Sequence, residues 1–262
     1  MSCKECQKRS AVIAALAPAI SRLSPSRDEL LGLLALPDGQ LLGAVGVQNP
    51  CGLMRTLELP VTTTSVPTAL CRHEHGYPAA LAQLPSAPAV LYATCTVASL
   101  RGLLENPTAA IIGGEIHTDC GEDMTVALAS NLAGAGIIVI SGVRDGLERT
   151  AHQAALDARG STIAVMPCAP GIPSSTQHAA LHQRILARGA VLSEFPPGFF
   201  PPQPWCFTAC RRIMAALASV TIVAEAAGLP AQSSWTAQVS AELGSQAAVV
   251  PGRVTGGAVP IA

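Results

Sequence analysis

Residues 109–144, AAIIGGEIHTDCGEDMTVALASNLAGAGIIVISGVR, carry the pattern that decides the fold. Ala109–Ile112 is a short apolar run ending in Gly113-Gly114, Glu122–Ala135 reads as a helix, and Ile137–Ile140 is a second apolar run ending in Ser141-Gly142. Strands buried on both faces read as continuous apolar runs. Strand–helix–strand alternation argues for a mostly parallel sheet with helices on both faces. The rhythm continues outward. Further strands are expected at Ala89–Tyr92, Thr162–Met166, Ala190–Leu192, Val220–Ala224 and Ala247–Val250. Further helices are expected at Arg149–Arg159, Gln177–Arg188, Arg212–Ala218 and Trp235–Leu243, with PPGFFPPQP (196–204) as an ordered, extended loop.

Upstream the texture differs. Ala11–Ile20 and Arg27–Leu36 read as helices, and both lysines of the protein, Lys4 and Lys8, lie in this region. Ser26 followed by Glu29 has the spacing of a capping box. Val61–Thr68 is rich in Thr and Pro and reads as a linker. The expected organisation is a small N-terminal helical appendage with its linker (1–70), an α/β domain (71–255) and a short tail (256–262).

Composition narrows the function classes. The chain has 262 residues, a formal net charge of −1, 49% hydrophobic and 13% charged residues, against about 25% charged in ordinary domains. Intrinsic disorder needs the opposite balance, and a strongly basic nucleic-acid binder is excluded. An uncharged, apolar stretch, Met124–Val143, holds Ser130, Asn131, Gly134 and Gly136 and changes period halfway. A spanning helix needs about 20 apolar residues, so no membrane association is expected. Nine scattered cysteines read as reduced thiols of a cytoplasmic protein.

In a sheet of this kind ligands sit beyond the carboxyl ends of the strands, near helix N-termini. That singles out Gly113-Gly114, Ser141-Gly142 and Arg144. A tight turn or an ordinary cap explains these residues as well as an anion does. The run is neither GxGxxG nor a Walker loop, and Glu115 places an anion where a phosphate would bind. Arg211-Arg212 open the expected final-third helix; two cations at a helix start oppose the dipole, which points them at an anion or at surface carboxylates. His152, alone on its helix, reads as a hydrogen-bonded packing residue. Cys3-x-x-Cys6 is half of a zinc-ribbon pattern with no second pair at suitable spacing, and Cys71-x-His73-x-His75 has ligand residue types at alternate spacing. Either pattern has metal-binding chemistry, but no metal site and no cofactor is assigned.

The order of segments resembles the DprA/Smf family of DNA-processing proteins. The resemblance begins at His75-Gly-Tyr-Pro-Ala-Ala-Leu and Leu84-Pro-Ser-Ala-Pro-Ala-Val-Leu-Tyr. It continues through Ala110-Ile-Ile-Gly113, Ser141-Gly142 and Ala151-His152, then Gly189-Ala-Val-Leu-Ser-Glu-Phe-Pro-Pro-Gly198, Arg212-Ile-Met-Ala-Ala-Leu and Val223-Ala-Glu-Ala226. It closes at Thr236-Ala237 and Val250-Pro-Gly252. What it implies is a Rossmann-like protein that is not an enzyme. Such a protein binds single-stranded DNA, forms a homodimer, and passes incoming DNA to a RecA-type recombinase in natural transformation. Gly113, Gly114, Ser141, Gly142, Arg144, Arg211 and Arg212 would then line the DNA pocket.

The chain also departs from the family pattern. Ser/Thr-Arg after the first glycine motif becomes Gly114-Glu115. Gly-Ile-Asp becomes Gly146-Leu147-Glu148. Phe-Pro-x-Arg-Asn-Arg becomes Phe207-Thr-Ala-Cys210-Arg211-Arg212, and Ser-Gly-Ser becomes Ala231-Gln232-Ser233. From Cys71 to Ala262 there are ten Arg, no Lys and twelve Asp plus Glu, an excess of two negative charges. Weakened DNA binding is therefore expected. A nucleotide or sugar-phosphate binder and a degenerate protein-binding paralogue remain as alternatives.

Overall fold

A computed structural model of the chain describes residues 3–57, 68–171, 173, 179–225 and 246–250. The elements in chain order are α1 (Lys4–Leu23), α2 (Arg27–Ala35), α3 (Asp38–Ala44), α4 (Pro50–Thr56), β1 (Thr68–Cys71), α5 (Ala79–Ala82), β2 (Val90–Ala93), α6 (Val97–Leu104) and β3 (Thr108–Ile112). They continue as α7 (Asp119–Gly134), β4 (Ile138–Ser141), α8 (Leu147–Asp157), β5 (Thr162–Val165), α9 (Ala179–Arg188), β6 (Ala190–Ser193), α10 (Pro204–Leu217), β7 (Val220–Val223) and β8 (Gln246–Val249). The strands form one sheet in the order β1-β2-β6-β5-β4-β3-β7-β8. The β3–β4, β3–β7, β4–β5 and β7–β8 pairs are parallel, and β1–β2 and β2–β6 are antiparallel. The expected α/β architecture is the one observed.

The chain divides into two compact units. The first comprises Met1–Val97, Met166–Ile172 and Leu192–Cys210. Helix α2 starts at the expected Arg27, whereas α1 begins at Lys4, seven residues before the expected Ala11. At α2 the Ser26 hydroxyl accepts from the Glu29 N–H, and the Ser26 N–H donates to Glu29 Oε2 at 2.8 Å, completing the capping box. Val12, Leu16 and Ile20 recur at helical spacing on α1. They share a core with Leu30, Leu34, Leu41, Phe195, Trp205 and Ala209. Full burial of each large aliphatic side chain here contributes about 1.5–3 kcal/mol. Phe195 stacks on Phe199 and meets Trp205 edge-on, with ring centroids 4.5 and 5.6 Å apart. The Trp205 indole N–H donates to Ala17 O at 3.0 Å. The apolar stripe of α1 has its partners in residues 195–209, which belong to the same compact unit. Strand β1 was also missed: four residues straddling the end of an expected linker carry no pattern of their own, and antiparallel pairing with β2 supplies the reason they are extended.

The second unit comprises Ala98–Val165, Pro173–Val191 and Arg211–Ala262. Strands β3, β4 and β5 are buried along their whole length. Helices α7 and α8 pack through small residues: Ala129, Ala133, Ala151, Ala154 and Ala155 belong to one core with Ile111, Val139 and Leu147. A Cβ at Gly160 would lie 2.5 Å from the Ala133 methyl, and Ser130 donates to Ala154 O at 3.4 Å. Packing by methyl groups is how a chain with so few aromatic residues builds a dense core.

Helix α10 starts at Pro204, not at Arg212. Arg211 and Arg212 are thus its eighth and ninth residues, and the argument from an unfavourable dipole at a helix start does not apply. The expected helix at Trp235–Leu243 and the tail at 256–262 lie outside the described residues. Among the described residues no helix is long and apolar enough to cross a membrane, and the nine cysteines form no disulfide.

Candidate functional site

The carboxyl ends of β3 and β4 and the start of α8 meet in the second unit. Gly113 and Gly114 leave β3, and both are buried. A Cβ at Gly113 would lie 2.4 Å from the Leu147 Cβ, and Gly114 O accepts from the Leu147 N–H at 3.1 Å. The first glycine therefore lets α8 approach the strand end, whatever else the loop holds. Ser141 is also fully buried, and its hydroxyl donates to Ile111 O at 2.6 Å. Its proton ties β4 to β3 and is therefore not the one offered to an anion.

Beneath the β4 loop lies an unforeseen carboxylate. Glu148, on the first turn of α8, is 2% exposed. Its Oε2 accepts from the Arg144 backbone N–H at 3.3 Å, and its Oε1 stands 3.8 Å from Arg211 Nη2. A Cβ at Gly142 would come within 2.2 Å of Glu148 Oε2, so glycine makes room for the carboxylate. Burial pushes the Glu148 carboxyl above its usual range, opposed by the charge of Arg211 and by the Arg144 N–H and charge. Arg211 and Arg212 are only 2% and 1% exposed. These arginines do not project from the surface as the sequence reading expects; Arg211 instead faces a buried acid of its own unit. Removing one member of a buried ion pair costs about 3–5 kcal/mol. With the charged atoms 3.8 Å apart, Glu148→Ala is expected to lower unfolding stability by about 3 kcal/mol. Urea unfolding checks this, and a loss below about 1 kcal/mol, the worth of an exposed pair, would show that the pair contributes as little as a surface one.

His152 sits one turn further along α8. It is fully enclosed, with Nε2 2.8 Å from Gly142 O and Nδ1 2.7 Å from the Thr162 hydroxyl. A carbonyl only accepts, so Nε2 carries the ring proton. Burial holds the imidazole down to about 4, so it is neutral near pH 7. It latches the β4 loop to β5 as a packing residue, as the sequence suggests.

The neighbouring helix end is already filled by an anion. The Thr118 N–H and hydroxyl both donate to Glu225, at 2.9 Å each, and the Gly121 N–H donates to Thr118 Oγ1 at 3.1 Å. The N-terminus of α7 would otherwise attract a phosphate; the Glu225 carboxylate takes that place. A threonine ahead of Asp119 is a local sign of the cap, but nothing local points to an acid over a hundred residues away.

What remains accessible is the rim. The Arg144 side chain is 32% exposed and lies 3.6 Å from the 61%-exposed Glu115 carboxylate. Arg149 pairs with Asp145 at 3.5 Å on the same helix start. Of the residues singled out from the sequence, Gly113, Gly114, Ser141 and Gly142 form the floor, Arg144 stands at the edge, and Arg211 is behind the floor beside Glu148.

Residues 68–259 match the family described as DNA recombination-mediator protein A. The chain belongs to this family. It is 39% identical over 150 residues to a putative DNA processing protein DprA of Mycobacterium tuberculosis, covering 57% of this chain and 38% of that protein. It is 33% identical over 150 residues to the Protein Smf of Escherichia coli, covering 55% and 38%. The chain thus matches about two fifths of the length of these DprA relatives. The DprA structure from Streptococcus pneumoniae superposes with a TM-score of 0.72 at 23% identity, over 97% of this chain and 89% of that one. The structure of Helicobacter pylori DNA processing protein A, described for its single-stranded DNA binding mode, superposes with a TM-score of 0.61 at 28% identity, over 71% and 85%. The DprA resemblance read from the ordered motifs is therefore correct, and the sheet is the DprA fold.

Proposed function

We propose that this DprA-family chain binds single-stranded DNA for DNA processing in natural transformation, by electrostatic contact and without a catalytic step. In this reading it acts as a homodimer and delivers the strand to a RecA-type recombinase. The observation that carries the proposal is a recombination-mediator fold whose β3 and β4 ends meet under a rim containing Arg144, in a chain 28% identical to a protein known for single-stranded DNA binding. Phosphates would track along that rim, with Arg144 as the direct contact. Gly113, Gly114, Ser141 and Gly142 shape the floor beneath, and Arg211 and Arg212 support it from within.

Glu115 sets the strength of this contact. Its carboxylate lies against Arg144 and competes with any phosphate for the same guanidinium. Exposed pairs contribute little to stability, so Glu115 is free to be changed. Glu115→Gln is expected to tighten binding of labelled oligo-dT several-fold at low salt, and Arg144→Ala to weaken it uniformly across sequences. For single strands the slope of log K against log salt changes by about 0.7 per phosphate contact. Fluorescence anisotropy across a salt series measures both effects. Absence of binding at low salt by the wild-type chain would remove the DNA reading. A small phosphorylated ligand at the α7 N-terminus is the weaker reading, because Glu225 already satisfies those donors.

A further inference from the structure

We propose that the first unit holds a structural zinc ion bound by Cys3, Cys6, Cys71 and His73. The two half-patterns that the sequence shows separately are brought together by the fold. The three Sγ atoms and one imidazole nitrogen all lie within 4.8 Å of one another. His73 Nδ1 stands 3.6 Å from each of the Cys3, Cys6 and Cys71 sulfurs. Ligands at the Zn–S and Zn–N distances of about 2.3 and 2.0–2.1 Å, placed at the tetrahedral angle, are about 3.6 Å apart. The equality of the three separations is what a common centre requires and what loose packing of thiols does not. Cys3 and Cys71 are 3.4 Å apart, sulfur to sulfur, somewhat closer than the roughly 3.8 Å of a filled tetrahedron.

Local structure aims backbone donors at two of these sulfurs. Cys3 is the N-cap of α1, and its sulfur accepts from the Cys6 N–H at 3.5 Å. Cys71 closes β1, and its sulfur accepts from the His73 N–H at 3.4 Å. The turn that carries His73 is fixed in turn: the Cys71 N–H donates to Glu74 Oε2 at 2.7 Å, and the Glu74 N–H to Cys71 O at 2.9 Å. Peptide N–H groups aimed at ligand sulfurs, and a ligand turn locked by its own carboxylate, are the outer support a metal site needs.

The donor set selects the metal. Three soft thiolates and one imidazole, with no oxygen ligand, fit zinc and not magnesium or calcium. Four protein ligands leave no open position, which marks a structural and not a catalytic site. Cys6 and Cys71 are buried, Cys3 is half-buried and His73 is exposed, so the ion would sit just under the surface. Binding displaces three thiol protons, which leave to solvent as the Zn–S bonds form. The ion would clamp the start of α1 to the end of β1, closing a loop of well over sixty residues that includes the Thr/Pro-rich stretch. A cross-link of that span constrains the unfolded chain strongly. His75, the alternate ligand type in the sequence, and Cys51 are outside the cluster.

Metal analysis of the full chain, expressed in zinc-supplemented medium and purified with reductant and without an affinity tag, tests the proposal. One zinc per chain is expected. Cys71→Ser and His73→Ala should abolish it, while Cys51→Ser and His75→Ala should leave it unchanged. If the first two variants fail to fold, His73→Cys keeps the question open to measurement: it should retain zinc. Chain produced with cobalt in place of zinc should show the strong visible bands of tetrahedral thiolate cobalt(II), altered by His73→Cys. A wild-type chain without zinc would overturn the site. So would iron in its place, zinc that survives Cys71→Ser, or a non-reduced mass two hydrogens light, which would mean a disulfide. DNA binding is not part of this readout, so the site and the DNA reading stand or fall separately.

Discussion

Gly146→Ala is expected to destabilise the chain by about 3–5 kcal/mol, a large share of the ~5–15 kcal/mol that holds a domain folded. Gly146 precedes α8 with φ 85° and ψ −139°, a region that only glycine occupies without strain; forcing another residue there costs of order 1–3 kcal/mol. The second cost is steric. A Cβ at this position would lie 2.3 Å from Gly114 O and 2.8 Å from the Glu115 Cα. Both are backbone atoms, so no side chain can swing away; the β3 loop and the start of α8 must separate. That breaks the Leu147 N–H to Gly114 O bond. Gly136 supplies the comparison. Its φ is +80°, but nothing lies within 4 Å of its Cβ position, so Gly136→Ala should cost only about 1 kcal/mol. Denaturant midpoints of the two variants measure the difference, and equal losses would mean that the close approach at Gly146 does not matter.

Acid should weaken the fold through His152. The sign follows from its proton. The imidazole holds none above about pH 6.5 in either state, so its contribution is complete there. Between 6.5 and about 4 the unfolded chain takes up a proton that the folded chain refuses, because burial leaves no room for the charge. Stability then falls as pH falls, by up to about 3 kcal/mol at pH 4 for a shift of this size. Other groups titrate in the same window: His182 is also held down by burial, while the exposed Glu29 is held down by its Ser26 bonds. Glu148, one turn from His152, works in the opposite direction. The informative quantity is therefore the difference between wild type and His152→Asn across a pH series. The variant should be less stable at pH 7 and should lose less between pH 7 and 4.5. Parallel pH profiles would show that His152 is protonated in the fold.

Much of the sheet was legible because strands buried on both faces repeat one apolar signature, and β3 to β7 each carry it. Element β1 carried none. The start of α10 was hidden because PPGFFPPQP ends in the proline that begins the helix, and a proline suits a first helical turn as well as a loop. That offset placed Arg211 and Arg212 at a helix end where they do not lie. The glycine pairs and Arg144 were visible as strand-end residues. Glu148 and Glu225 were not identified as partners, since an acid gives no local sign of whether it faces water, a guanidinium or a helix end. The cysteine and histidine half-patterns lie almost seventy residues apart, and the packing of α1 against β1 and β2 brings them to one place.

The helices α7 and α8, joined through alanine methyls, leave mutation an uneven path. A side chain at Ala129, Ala133, Ala154 or Ala155 can shrink to glycine at the cost of helix propensity, about 1 kcal/mol. It cannot grow without prying two backbones apart. Sequence drift in this layer is therefore a ratchet against bulk, and its geometry leaves no room there for an aromatic ring.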